Sequence, residues 1–254
     1  MDSIDLNADL GEGFGAWRMG DDEAMMSIVS SANIACGFHA GDPLVMSRTV
    51  ELAEQNKVAI GAHPGYDDLR GFGRTPQPWM VPKQLAADLQ YQIGALRAIA
   101  RANGTKVRYI KLHGALANLA CTTSLWAKIC VEAIAATAPS LPLLVMGNCH
   151  MEKQAQRLGL ATFREFYADR VYGKDGLLLP RNQPGALLDD AHKAADRVVK
   201  LLETGKVKAA GGNVLSMNPH SICVHGDHPT AVQMAQTIRQ KLEKSGVKIE
   251  KFVL

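Results

Sequence analysis

From end to end the chain alternates short apolar runs with longer stretches of helical periodicity, and no Ser- or Pro-rich linker divides it. Repeated strand–helix units in one undivided chain require a parallel sheet with helices outside it, because each parallel neighbour is reached through a crossover. Strands are predicted over residues 3–9, 31–36, 57–62, 107–112, 143–146, 161–166, 221–224 and 247–254. Helices are predicted over 21–30, 43–55, 82–103, 124–137, 150–158, 184–203 and 229–244. In 82–103, Leu85, Leu89, Ile93, Leu96 and Ile99 form one stripe that ends at Gly104. Asp42 and Pro43 give the second helix a cap and a first-turn proline. The 254 residues fit one domain, 1–254, either a (β/α) barrel of seven or eight strands or an open doubly wound sheet.

The polar residues favour the barrel. Ionisable side chains and glycines gather just after the strands, in Asn7 to Gly13, Cys36 to Asp42, His63 to Asp67, Lys111 to Gly114, Glu165 to Arg170 and Cys223 to Asp227. A barrel brings all such ends to one rim, where barrel enzymes keep their chemistry; in an open sheet the edge strands lie too far apart. Strand parity agrees. Asp5, Asn7 and Asp9 share one face of the first strand, opposite Ile4, Leu6 and Ala8. Lys111 and His113 share a face, as do Cys223, His225 and Asp227. A polar mouth of this kind is costly to bury unless its groups bind one another, a ligand or a metal.

Bulk properties exclude several classes. The net charge of +3 carries no basic run beside stacking aromatics, so no nucleic-acid face is expected. There is no membrane-length apolar window and no signal-peptide pattern, and the cysteines form no CxxC pair; a cytoplasmic protein with reduced thiols is expected. Glycine spacing after the first strand does not fit a dinucleotide loop, and no glycine-rich loop ends in Gly-Lys-Ser/Thr.

Each candidate has a structural alternative. Asp9 is a general base or metal ligand, or else caps a turn. His63, His113 and His225 are acid–base residues, or satisfied structural histidines. Lys111 holds an anionic group, or pairs with Glu165 or Asp169. Glu165, Asp169 and Arg170 position a nucleophile, or form a structural charge cluster. His39 is a site or a loop residue, and Asp227 is a site residue or the cap of the last long helix. Cys36 and Cys223 read as small buried residues rather than nucleophiles.

Seven segments carry a resemblance: DLNADLGEGFG from Asp5, NIACGFHAGDP from Asn33, GAHPGYDD from Gly61, GFGR from Gly71, KLHGAL from Lys111, EFYADRVY from Glu165 and VHGD from Val224. In this order, across nearly the whole chain, they resemble the LamB/YcsF family, the A subunit of bacterial ATP-hydrolysing 5-oxoprolinase. The resemblance implies an irregular (β/α) barrel of the type shared with polysaccharide deacetylases and related glycoside hydrolases. It implies partner subunits B and C, ATP as co-substrate of the complex, and conversion of 5-oxoproline to glutamate. With no nucleotide loop here, ATP is expected to bind elsewhere. The expected catalytic set is Asp9, His63, His113 and His225. Substrate contacts are expected from Asn7, Glu12, His39, Lys111, Glu165, Asp169, Arg170 and Asp227. Two rivals stand beside this reading: a metal-dependent deacetylase or amidohydrolase with Asp9, His63 and His113 as ligands to a divalent ion, and a non-catalytic substrate-binding subunit.

Overall fold

The computed structural model describes residues 2–226 and 230–253. In chain order the elements are β1 (Ser3–Leu10), α1 (Asp22–Met26), β2 (Ser31–Ala35), α2 (Pro43–Gln55), β3 (Ala59–His63), α3 (Pro82–Ala102), β4 (Val107–Ile110), α4 (Gly114–Thr122), α5 (Ser124–Thr137), β5 (Leu143–Met146), α6 (His150–Arg157), β6 (Thr162–Tyr167), α7 (Ala191–Thr204), β7 (Lys206–Lys208), β8 (Val214–Ser216), β9 (Ser221–His225), α8 (Ala231–Lys244) and β10 (Lys248–Ile249). Strands β1 to β6 pair in sequence and in parallel. Strand β9 pairs with both β6 and β1 and closes a seven-stranded barrel.

Local chemistry explains the elements. Asp42 Oδ1 accepts from the backbone N–H groups of Leu44 and Val45, so α2 starts at Pro43 as its sequence predicts. Leu85, Leu89, Ile93 and Leu96 of α3 are fully buried, whereas Ile99 is partly buried against the core. On the strands, Leu6, Ala8, Leu10, Ile34, Ile60, Ile110, Phe166, Ile222 and Val224 belong to one continuous apolar core.

Four expectations change. The segment 247–254 contributes only the two residues of β10, which pair with Ser3 and Ile4 outside the closed barrel. The remainder packs Phe252 against Tyr109 and Phe163, and Val253 joins a small separate apolar cluster with Tyr109, Ala59 and Leu144. Residues 184–190 are loop and α7 starts at Ala191, because Asp190 caps it. Helix α4, hidden in sequence behind an apolar stretch with no polar face, precedes α5. After α7 the chain makes an antiparallel β7–β8 hairpin in a stretch where the sequence predicts no element. Among the described residues no single helix is long and apolar enough to cross a membrane.

Candidate active site

The barrel interior is polar along most of its height, whereas barrels of this general kind are commonly filled with Val, Ile and Leu. Lowest lies Asp5, whose carboxylate accepts from the hydroxyls of Ser30, Ser31 and Ser221. Burial raises this carboxyl to about 6, against those three hydrogen bonds. Above it Asn7 donates to Ser221 Oγ (2.6 Å), and Asn33 donates to both Asn7 Oδ1 and Asp9 Oδ1 (2.7 Å each). The Tyr109 hydroxyl donates to Asn33 Oδ1 at 2.7 Å. Tyr109 can cross the interior because Gly61 lacks a side chain: a Cβ there would stand 2.2 Å from the tyrosine ring.

Lys111 is the hub of the next layer. Its Nζ lies 2.8 Å from Asp9 Oδ1, 2.8 Å from Glu165 Oε1 and 3.2 Å from Cys223 Sγ. Burial alone would lower the ammonium, but Asp9, Cys223 and Glu165 hold it well above its ordinary value. Burial alone would likewise raise Asp9, but His63 and Lys111 hold it well below the usual carboxylate range. Asp9 is therefore an ionised, weakly basic group, suited to orienting and balancing charge. Burial pushes the Cys223 thiol well up and Cys36 up to about 12, so neither is an activated nucleophile.

The histidines form the rim. His63 Nδ1 lies 2.8 Å from the Lys111 carbonyl oxygen, and His113 Nε2 lies 2.8 Å from that of Phe72. A carbonyl only accepts, so each of these nitrogens carries a hydrogen. The remaining nitrogens, His63 Nε2 and His113 Nδ1, face each other at 3.0 Å. Asp9 Oδ2 is 3.4 Å from His63 Nε2. His39 stacks on His113 with centroids 3.8 Å apart, and Glu12 Oε1 lies 3.8 Å from His39 Nε2 and 3.9 Å from His113 Nδ1. Burial, then neighbouring histidines, push His39 and His113 well below the ordinary imidazole value. Gly73, at φ +61°, folds the chain over both rings, a conformation that favours glycine.

On the other side of Lys111, His225 Nδ1 lies 2.7 Å from Asp169 Oδ2 and its ring stacks on Tyr167. Burial would raise Asp169, but His225 and Arg181 keep it below its ordinary value. These two residues open into a cavity of about 60 Å³ lined also by Arg181, Leu188, Asp189 and Met234. A histidine held through Nδ1 by a carboxylate has Nε2 left for proton exchange.

Of the residues singled out from sequence, Asp9, Asn7, Glu12, His39, His63, Lys111, His113 and Glu165 cluster in one buried interior, and the Asp169–His225 pair lies beside them, joined through the Tyr167 ring that Lys111 and His225 both contact. The proposed charge cluster divides: Glu165 pairs with Lys111 and Asp169 with His225, while Arg170 donates to the Leu179 carbonyl and ties down the loop after β6. Asp227 lies outside the described residues. Sequence reasoning missed Asn33, Tyr109, Ser221 and the carbonyl of Phe72. Parity could have found Asn33, a polar residue between Ala32 and Ile34 in a buried strand; nothing local marks Phe72.

Fold and site together define a seven-stranded parallel barrel of enzyme type, with an acid–histidine–lysine network at the C-terminal ends of its strands. The LamB/YcsF family profile matches residues 4–253, and the chain belongs to that family. It is 49% identical over 98% of both chains to the 5-oxoprolinase A subunit of Rhodopseudomonas palustris. It is 48% identical to a 5-oxoprolinase A subunit of Bradyrhizobium diazoefficiens, over 99% of this chain and 98% of that one. A solved lactam utilization protein from Thermus thermophilus superposes with a TM-score of 0.92 at 40% identity, covering 98% of this chain and all of that one.

Proposed function

We propose that this chain is the A subunit of an ATP-dependent 5-oxoprolinase and opens the lactam of 5-oxoproline to give glutamate. The near-full-length identity with relatives of that name carries the reading, and the buried acid–base rim supports it. A five-membered lactam is a poor electrophile. Phosphorylating its amide oxygen makes the ring carbon attackable, and with no Walker-type loop in this sequence that step falls to partner subunits B and C. This chain then adds water to the ring carbon; breaking the carbon–nitrogen bond leaves a γ-glutamyl phosphate, and a second water releases its phosphate to give glutamate.

The geometry supports a role for each rim group. The Asp9, His63 and His113 side of the rim holds and activates the water. His225, oriented by Asp169, protonates the ring nitrogen as the carbon–nitrogen bond breaks. Lys111 is engaged by Asp9 and Glu165 and, with His63, holds Asp9 ionised. Using ATP and keeping five free thiols, the complex belongs in the cytoplasm. The test is an assay of glutamate and phosphate release by the purified chain with and without subunits B and C. Turnover is expected with both partners present. Robust ATP-dependent turnover by the chain alone would overturn the division of labour, and none by the full set would overturn the reading.

A further inference from the structure

Glu12, His39, His63 and His113 come from four different loops or strand ends and converge on one point. One ligand atom from each lies within 4.8 Å of all the others, and none of the four residues is more than 5% exposed. Atoms bound to a common ion at about 2.0–2.2 Å stand roughly 3.0–4.4 Å apart. The spacings of 3.0 Å between the facing nitrogens of His63 and His113 and of 3.8 and 3.9 Å from Glu12 to His39 and His113 fall in that range, the others lie within 4.8 Å, and the His39 ring, stacked parallel on His113, turns on binding to aim a nitrogen at the same point.

Two independent features point to a cation. His63 and His113 each give their other ring N–H to a backbone carbonyl, the arrangement that fixes the tautomer of metal-bound histidine. It leaves two lone pairs facing at 3.0 Å, a repulsive contact unless a proton or a metal ion joins them. His39, wholly buried, has no hydrogen-bond partner for either ring nitrogen among the described residues, which is costly for a polar group without a ligand. The close approach of the rings is built in. A Cβ on Gly65 would come within 2.8 Å of His39 Nδ1, and one on Gly73 within 2.7 Å of His39 Cβ and 2.8 Å of His113 Cδ2.

We propose that Glu12, His39, His63 and His113 bind one divalent first-row transition-metal ion. Three imidazoles and a carboxylate, with no thiolate, suit zinc and its neighbours. The set differs from the Asp9, His63 and His113 triad expected from sequence: Glu12 and His39 join His63 and His113 at the convergence point, while Asp9, its Oδ1 engaged by Lys111 and Asn33, keeps Oδ2 at 3.4 Å from His63 Nε2 as a neighbouring counter-charge. Binding is independent of the lactam reading. The ion's role, to hold and acidify the attacking water, rests on it.

The full chain is stripped with a chelator and titrated separately with zinc and cobalt, with bound metal counted by elemental analysis. About one ion per chain is expected, with visible absorption bands from cobalt and a higher melting temperature with metal. His39→Ala and Glu12→Gln should each weaken binding by about a hundredfold or more, and His225→Gln, outside the set, should leave it unchanged. Should His39→Ala fail to fold, Glu12→Gln and the wild type still decide. Substoichiometric binding by the wild type, with a proton then joining His63 and His113, overturns the proposal. So does wild-type affinity in both ligand variants. A metal-free protein that still turns over 5-oxoproline with its partners overturns the ion's role in the reaction, not its binding; a metal-loaded protein without turnover sinks only the lactam reading.

Discussion

The two faces of the barrel strands obey different rules. The outward face carries Leu6, Ala8, Leu10, Ile34, Ile60 and Ile222 in one apolar core beneath the helices. The inward face, at alternate positions of the same strands, carries Asp5, Asn7, Asp9, Asn33, Tyr109 and Cys223, joined by hydrogen bonds and one lysine. Outside, stability comes from volume and area and is divided among many contacts. Inside, each group depends on a particular partner, so removing one leaves another buried and unsatisfied. A fold that places so costly a network on its axis is held together by its outer face and specialised by its inner one.

The largest effect is expected at the rim. His225→Gln can still donate to Asp169 but cannot exchange a proton. Turnover by the reconstituted complex should fall about a hundred- to ten-thousand-fold, with the thermal melt little changed. Retention of most of the activity would make His225 a structural residue. Next comes the hub. Lys111→Met strands Asp9 and Glu165, each at most 5% exposed, and should cost about 3–5 kcal/mol in urea unfolding. Adding Glu165→Gln should recover part of that loss; simple additivity would show that the two are not coupled.

Leu89→Ala probes the outer face. Leu89 is fully buried on α3, so its truncation should cost about 2–5 kcal/mol while turnover per folded molecule stays at the wild-type level. A loss of specific activity would show that the two faces are not separable. His113→Ala falls between the classes. Its ring is buried, donates to the Phe72 carbonyl and stacks on His39, so a loss of about 1–3 kcal/mol should accompany the loss of turnover, rather than the undisturbed folding expected of an open rim residue.

An effect that shows only across a pH range comes last. Asp5 is raised from 3.8 to about 6 in the folded chain, so the native state holds this proton more tightly than the unfolded state. The resulting stability is fully present below about pH 4 and is lost as pH rises through 6, by up to roughly 3 kcal/mol. Asp5→Asn cannot titrate there. Measured by urea unfolding, its stability relative to wild type should improve between pH 4 and pH 8. A constant difference would mean that Asp5 titrates alike in both states.

Much of the fold is legible in the order of residues alone. The alternation of runs sets the strand order, and parity places Asp5, Asn7 and Asp9 on the inward face because successive strand side chains point opposite ways. Capping chemistry places the start of α2 at Pro43. At α7 the side chain of Asp190 outweighs the earlier proline at 184, and the helix begins at Ala191. Local pattern does not separate a final strand from a segment that pairs only Lys248 and Ile249 and then packs Phe252 on Tyr109. The hairpin of β7 and β8 escapes it too, because strands of three residues are too short to show a period.

Which residue types stand at the strand ends depends on spacing along one chain, and the amino-acid order fixes it. Their partners depend on closure of the barrel. Lys111 meets Asp9 and Glu165, and His113 meets His63, His39 and Glu12, because closure brings together side chains tens of residues apart. That closure is set by the registers of seven strands at once, and a contact a few ångströms long depends on all of them.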